Sequence, residues 1–351
     1  MDTLNALFGL WRDTYDLGVL MLIGGGMIGF FFGIFVERTD FCSRAAFARL
    51  LNGTWRQDGT SLLYLMLAML AAILGVQAVA LTDAVDFSTS GESDLRFGGI
   101  VVGSLLFGIG MALSRGCISR LLVLTGRGNS RALISLGFLG LVAWSSISGV
   151  LSAPRIALAG WLRLPYESGF SPQIAMLTAL VLAAGIVFVR PHGRAPVGGM
   201  ITAVLIGLLV PLAFMVTGML GADDFDPVPL EGLLFTRPIT ESFAYFAYGQ
   251  TLSLKFGIGL IPGCIIGAAV SAAVSRRSRI EGFGPDTPHP LRYLAGATLM
   301  GFGGVVSGGC SIGWMLTNAA IGHLGLFLAV VSMLAGMKLA QASFRLVPQT
   351  A

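Results

Sequence analysis

Apolar runs of about 20 residues, separated by short polar loops, constrain this chain more than any other feature. Such runs lie near 17–37, 60–82, 97–114, 131–152, 173–190, 197–218, 240–262 and 322–342, and a glycine-rich stretch at 292–308 makes a ninth. A helix of about 20 apolar residues spans the hydrocarbon core of a bilayer, and it satisfies every backbone polar group internally. Only 11% of the residues are charged and 55% are hydrophobic. A soluble domain carries roughly 25% charged residues, so this chain cannot face water on all sides. The sequence predicts one all-α integral membrane domain over residues 1–351, with about nine transmembrane helices and short broken or re-entrant helices. No loop is long enough for a soluble catalytic domain, and no enzymatic fingerprint is present.

Charge alternates from loop to loop. Arg44, Arg49 and Arg56 follow the first run, and Asp83, Asp86, Glu92 and Asp94 the second. Arg115, Arg120, Arg127 and Arg131 come next, and a mixed loop holds Arg155, Arg163 and Glu167. After the short turn of Arg190 and Arg194, Asp223, Asp224, Asp226 and Glu231 form an acidic loop, and Arg276, Arg277, Arg279 and Arg292 a basic one. Basic loops on alternate turns satisfy the positive-inside rule. They predict an N-terminus outside and a C-terminus, with Lys338 and Arg345, in the cytoplasm. The net charge of +4 reflects this pattern; no dense basic run suggests a nucleic-acid partner. Asp2, Asp13 and Asp16 stand where a cleaved signal needs basic residues, so none is expected.

All four cysteines occupy similar settings: GFFFGIFVERTDFCSRAAF around Cys42, GSLLFGIGMALSRGCISRLL around Cys117, LKFGIGLIPGCIIGAA around Cys264 and GFGGVVSGGCSIGWML around Cys310. Each reads as a glycine-bearing apolar helix, a short break, the cysteine and a new helix. FGIG recurs at 107–110 and 256–259. Such echoes are the signature of an internal repeat, here two pseudo-symmetric, inverted halves at about 17–190 and 197–342. A helix broken inside a bilayer is tolerated only where its backbone is buried in protein or lines a cavity. The helix that starts after the break turns its free N–H groups and positive dipole end inward, which makes an anion site. Paired broken helices point to a transporter's substrate site. A protonated thiol there is a weak donor and a polarizable acceptor, suited to passing a soft, sulfur-bearing anion along. Persulfide or mixed-disulfide chemistry is the alternative use of the same residues, and burial as small hydrophobes is the plain one.

FGIFVERTDFCSRAAF, GGIVVGSLLFGIGMALSRGC and GFGGVVSGGCSIGW resemble motifs of the YeeE/YedE sulfur-transport family, and the resemblance runs from about residue 20 to 342. It implies an hourglass-shaped helical protein of the bacterial inner membrane, with thiosulfate passing inward along cysteine thiols. By motif those thiols are Cys42, Cys117 and Cys310, with Cys264 at the fourth position. Ser114-Arg115-Gly116-Cys117 departs from the family's A-G-G-C form and places a guanidinium beside the expected path. The candidate path residues are therefore Cys42, Cys117, Cys310, Cys264, Arg115, Gly116, Gly263, Gly309 and Arg38. The glycines, with Gly308, are expected to permit tight turns and close approach. Asp40, Arg44 and Arg120 flank the breaks as charges near the membrane, and Glu241 reads as interfacial. Trp314 and Asn318 follow Cys310 as packing or pore residues. His192, His289 and His323 lack ligand spacing, so neither a metal nor a cofactor is expected. The expected partners are thiosulfate or a related anion, the lipid bilayer and a cytosolic sulfur-accepting protein. Another sulfur or selenium species, a membrane thiol redox protein and a purely structural subunit are the competing readings.

Overall fold

The computed structural model describes residues 16–82, 85–87, 95–164, 170–189, 195–221, 229–249, 253–282 and 290–343. Many charged residues behind the expected topology (Asp83, Glu92, Asp94, Glu167, Arg190, Arg194, Asp223, Asp224, Asp226 and Arg345) lie outside these, as do His192 and His289. The described chain is helical. In order it comprises α1 (Leu17–Thr39), α2 (Ser43–Leu51), α3 (Thr60–Ala80), α4 (Phe97–Leu113), α5 (Ile118–Gly126), α6 (Ser130–Ser148), α7 (Ser152–Gly160), α8 (Pro172–Phe188), α9 (Val197–Leu220), α10 (Thr236–Tyr248), α11 (Phe256–Val274), α12 (Pro290–Val306), residues 311–320 and α13 (Gly325–Ser343). Two-residue segments, Leu95–Arg96 and Arg163–Leu164, pair antiparallel.

Among the described residues, seven segments are long and apolar enough to cross a membrane: Leu17–Leu51, Thr60–Ala80, Phe97–Gly126, Ser130–Ser148, Val197–Leu220, Phe256–Val274 and Gly325–Ser343. The helices α8 and α12, at 17 residues each, reach about 25 Å, a little short of a typical hydrocarbon core. The chain is a multi-pass, all-α membrane protein.

One expected run is corrected. Residues 240–262 do not form a single span: α10 ends at Tyr248, Gly249 takes φ 63°, and α11 begins at Phe256. With this shift, Pro262, Gly263 and Cys264 fall inside a continuous helix rather than at a break. Proline is tolerated there because neighbouring helices re-satisfy the freed backbone group in a membrane.

Glycine seams hold the bundle. Gly25, Gly29 and Gly33 of α1 face the backbone carbonyls of Phe256, Leu260 and Cys264, while Gly259, Gly263 and Gly267 of α11 face those of Leu22, Gly26 and Phe30. The register rises together on both helices, so α1 and α11 run parallel with their backbones touching. The stretch GGGMIG is thus half of a small-residue packing seam. A second seam pairs α4 with α12 in the opposite sense, Gly103 meeting Gly303 and Ser307 while Gly110 meets Gly296. Gly108 and Gly336 join α4 to α13.

A polar clamp closes one end of the first seam. Glu37, fully buried on α1, accepts a hydrogen bond from Ser271 Oγ of α11 at 2.7 Å and pairs with Arg127 Nη2 at 3.1 Å. Breaking a buried pair by removing one partner costs about 3–5 kcal/mol because the other charge is left uncompensated. Arg127→Met is therefore expected to lower the thermal unfolding midpoint in detergent by about 5–15 °C. Adding Glu37→Gln, which removes the stranded charge, is expected to restore most of that loss. A single variant that unfolds with the wild type would show the pair to be dispensable.

Candidate functional site

Three of the four cysteines sit on one repeated backbone device. In each, the residue two positions before the cysteine takes the left-handed conformation: Asp40 at φ 51°, Arg115 at φ 56° and Gly308 at φ 77°. That residue ends the incoming helix, and a short helix restarts directly after the cysteine at Ser43, Ile118 and residue 311. Cys42 and Cys117 are extended N-cap residues. Free amide groups of a helix's first turn point back toward its N-cap. The Gly313 amide accordingly donates to Cys310 Sγ at 3.4 Å, and the amides of Ile312 and Phe235 also face that sulfur. The Ala45 and Arg120 amides face Cys42 and Cys117 in the same way, without closing a regular cap bond.

The three breaks meet. The Cys42 and Cys117 thiols lie beside one another, with the Ser43 hydroxyl close to Cys117, and Cys117 Sγ lies 3.2 Å from the Ser119 hydroxyl. Ser43 Oγ lies 2.9 Å from Ser311 Oγ, with both side chains buried. Ser43 thereby links the first break to the third and touches the second. Three helix N-termini, three thiols and three hydroxyls converge on one buried centre. Each N-terminus carries a partial positive charge of roughly half an electron, so the centre favours an anion without a fixed cation inside it.

Cations gather at its margin. Arg44, on the first turn of α2, lies close to the Cys42 and Cys117 thiols and to Arg115 and Arg292. Arg120 binds Asp40 Oδ1 at 3.0 Å, and Arg127 binds the same oxygen at 2.8 Å. Asp40, whose left-handed backbone opens the first break, is thus tied to the helix that begins at the second.

Not every expected residue joins this centre. Cys264 is buried within α11; its backbone packs on Gly33, and its thiol has no hydrogen-bond partner among the described residues. Gly263 serves the helix seam, since a side chain there would strike the Gly26 carbonyl. Gly116 does not make the tight turn expected of it. Arg115 takes the left-handed conformation instead, and a Cβ at Gly116 would meet only ordinary contacts with Arg120 and Leu121. Likewise Gly308, not Gly309, carries the positive φ; Gly309 leaves room for the Trp314 indole. Arg38 is exposed on the last turn of α1, where its neighbour Glu37 turns inward. Glu241 pairs with Arg237 at 3.0 Å and with Lys255 at 3.3 Å, in a cluster that includes buried Glu231.

Sequence reasoning passed over Ser43, Ser119 and Ser311, yet a signal was present. Each of the three converging cysteines is followed within two residues by serine, whereas Cys264 is followed by Ile265 and Ile266. No group of His, Cys, Asp and Glu suited to a metal occurs among the described residues.

A family model described as sulphur transport matches residues 38–339, a range that contains every break and all four cysteines. The chain belongs to the sulphur-transport family. Within it, the chain is similar to the thiosulfate transporter TsuA of Spirochaeta thermophila, 27% identical over 340 residues, covering 90% of this chain and 97% of that one. It is also similar to the thiosulfate transporter TsuA of Escherichia coli K12, 24% identical over 345 residues, covering 89% and 92%. This sulphur-transport protein therefore aligns with both relatives along nearly their whole length.

Proposed function

We propose that the chain carries thiosulfate inward across the bacterial inner membrane, passing it through the centre formed by Cys310, Cys117 and Cys42. The observation that carries this reading is the convergence of three N-cap thiols on one buried site linked by Ser43. A dianion entering it exchanges water for helix-terminal amides and weak S–H and O–H donors. That is enough to offset dehydration without a deep well from which the ion would not escape. Arg44 and Arg115, at the margin, draw the anion onward. The N-terminus lies outside and the C-terminus in the cytoplasm, and two pseudo-symmetric halves supply the breaks.

The membrane potential opposes entry of a dianion, at about 2.3 kcal/mol per charge per 100 mV. Consumption of thiosulfate by a cytosolic sulfur-accepting protein maintains the inward gradient. The family match and the two relatives named as thiosulfate transporters support this substrate.

Contact between the Cys42 and Cys117 thiols favours one second reading, a dithiol that cycles through a disulfide. Proteoliposomes loaded with radiolabelled thiosulfate outside separate the two. Saturable uptake, with all four thiols still titratable after many turnovers, is the expected result. Uptake no faster than in protein-free vesicles would sink the transport reading. Stoichiometric loss of two thiols during turnover would favour the redox one.

A further inference from the structure

The helix that follows Cys310 contains a π-helical segment, Gly313–Asn318. Such segments are rare and often lie at functional sites. Trp314 is its second residue, only 3% exposed, and its indole Nε1 is buried without a hydrogen-bond partner. A buried indole N–H normally finds an acceptor, and leaving one unmet costs about 1–3 kcal/mol.

The direction of this orphaned donor is set by its neighbours. A Cβ built on Gly309 would lie 3.2 Å from Nε1 and 3.3 Å from Cδ1, so the pyrrole edge faces the backbone of the break immediately before Cys310. His323 stands edge-to-face with the indole, ring centres 5.3 Å apart, and its Nδ1 is occupied as acceptor of the Gly325 amide at 3.0 Å. In front of Gly308 there is open space, for a Cβ there would meet nothing within 4 Å, and Gly308 is exposed although its neighbours are buried. An unpaired donor, the Ile312 and Gly313 amides facing the Cys310 sulfur, and open space thus occur together at one helix N-terminus, with the Phe235 amide brought to the same sulfur from the start of α10.

We propose that the Trp314 indole N–H is a substrate-binding donor, holding an oxygen of the sulfur oxyanion while the anion's soft sulfur lies against the Cys310 thiol. The division of labour follows from the chemistry. An indole N–H is a hard, directional donor suited to oxygen, and a thiol is a polarizable partner suited to sulfur. The Trp314 amide donates to the Cys310 carbonyl at 2.9 Å, which ties the indole's residue to the break. This role deepens the thiosulfate reading and rests on it.

The test compares labelled thiosulfate uptake by the wild type, by Trp314→Phe and by a variant with the benzothiophene analogue of tryptophan at 314. The analogue keeps the shape and replaces N–H with sulfur. A hydrogen bond to a charged group sets the scale, so both variants are expected to raise KM roughly tenfold. The maximal rate is expected to stay within about twofold, and the analogue's unfolding midpoint to match the wild type's. Wild-type KM in the analogue variant would overturn the proposal and leave Trp314 a packing residue, whatever Trp314→Phe does. A wild type that takes up no thiosulfate would overturn the transport reading and this donor with it, whereas an active wild type matched by both variants would remove the donor alone.

Discussion

Cys117→Ala is expected to lower thiosulfate uptake to less than about a tenth of the wild-type rate. Of the three converging thiols, Cys117 stands in the middle: it lies beside the Cys42 thiol and the Ser43 hydroxyl of the first break and 3.2 Å from the Ser119 hydroxyl of its own, and Ser43 in turn meets Ser311 of the third. Alanine removes the sulfur from the middle of that chain and takes from Ser119 its thiol partner, while Ser43 keeps Ser311. A hydrogen bond to a charged group is worth about 1.5–3 kcal/mol, which corresponds to roughly a 10- to 100-fold change. Cys117→Ser retains a donor and acceptor of smaller radius, and it is expected to keep an intermediate rate. Cys264→Ala supplies the internal control. That thiol sits in an apolar stretch of α11 with no polar partner among the described residues, so uptake should stay within about twofold. The readout is initial uptake into proteoliposomes with matched protein content. Full activity in Cys117→Ala would remove the thiols from the path, and equal damage from Cys264→Ala would show that the loss is structural.

The contrast between Cys117 and Cys264 shows where the sequence was legible. Membrane helices follow from apolar length, because hydrocarbon punishes any other backbone arrangement, and eight of the nine runs lie on helices close to where they were expected. A glycine beside a cysteine is a poorer guide. At Cys264 the Pro262-Gly263 pair looks like a break, but Gly263 is needed for its missing side chain, which lets α11 touch Gly26 of α1. At Cys117 the break is real, and its left-handed residue is Arg115, which no propensity would nominate. Glycine in a membrane helix thus reports either a turn or a close approach, and only the partner helix decides which. The serines that follow Cys42, Cys117 and Cys310 carried the missing information. Each of these thiols has a hydroxyl within two residues of it, and Cys264 has none. The meeting of Ser43 with Ser311, 268 residues apart, lay beyond any local pattern.

The triple variant Gly25→Ala/Gly29→Ala/Gly33→Ala is expected to yield no folded protein. A Cβ at each of these positions would lie under 3.0 Å from a carbonyl oxygen of α11, those of Phe256, Leu260 and Cys264. These are backbone atoms held in their own helix, so no rotamer change can relieve the contact. Forcing a methyl into a packed site typically costs about 1–3 kcal/mol. Three such sites along one seam act together because the two helices must separate as rigid bodies. The combined penalty approaches the whole 5–15 kcal/mol that holds a typical protein folded. Gly137→Ala and Gly198→Ala, where a Cβ would meet nothing within 4 Å, are expected to be neutral or slightly stabilising. Size-exclusion chromatography in detergent distinguishes them: aggregate for the triple variant, a single symmetric peak for the controls. Gly263→Ala, whose Cβ would strike the Gly26 carbonyl, should lower the unfolding midpoint by an amount set by about 1–3 kcal/mol for one such contact. Gly116→Ala, with contacts no closer than 3.6 Å, should fold and leave any change to appear in uptake alone. A triple variant that elutes as a single peak would mean that α1 and α11 stand further apart than their glycines imply.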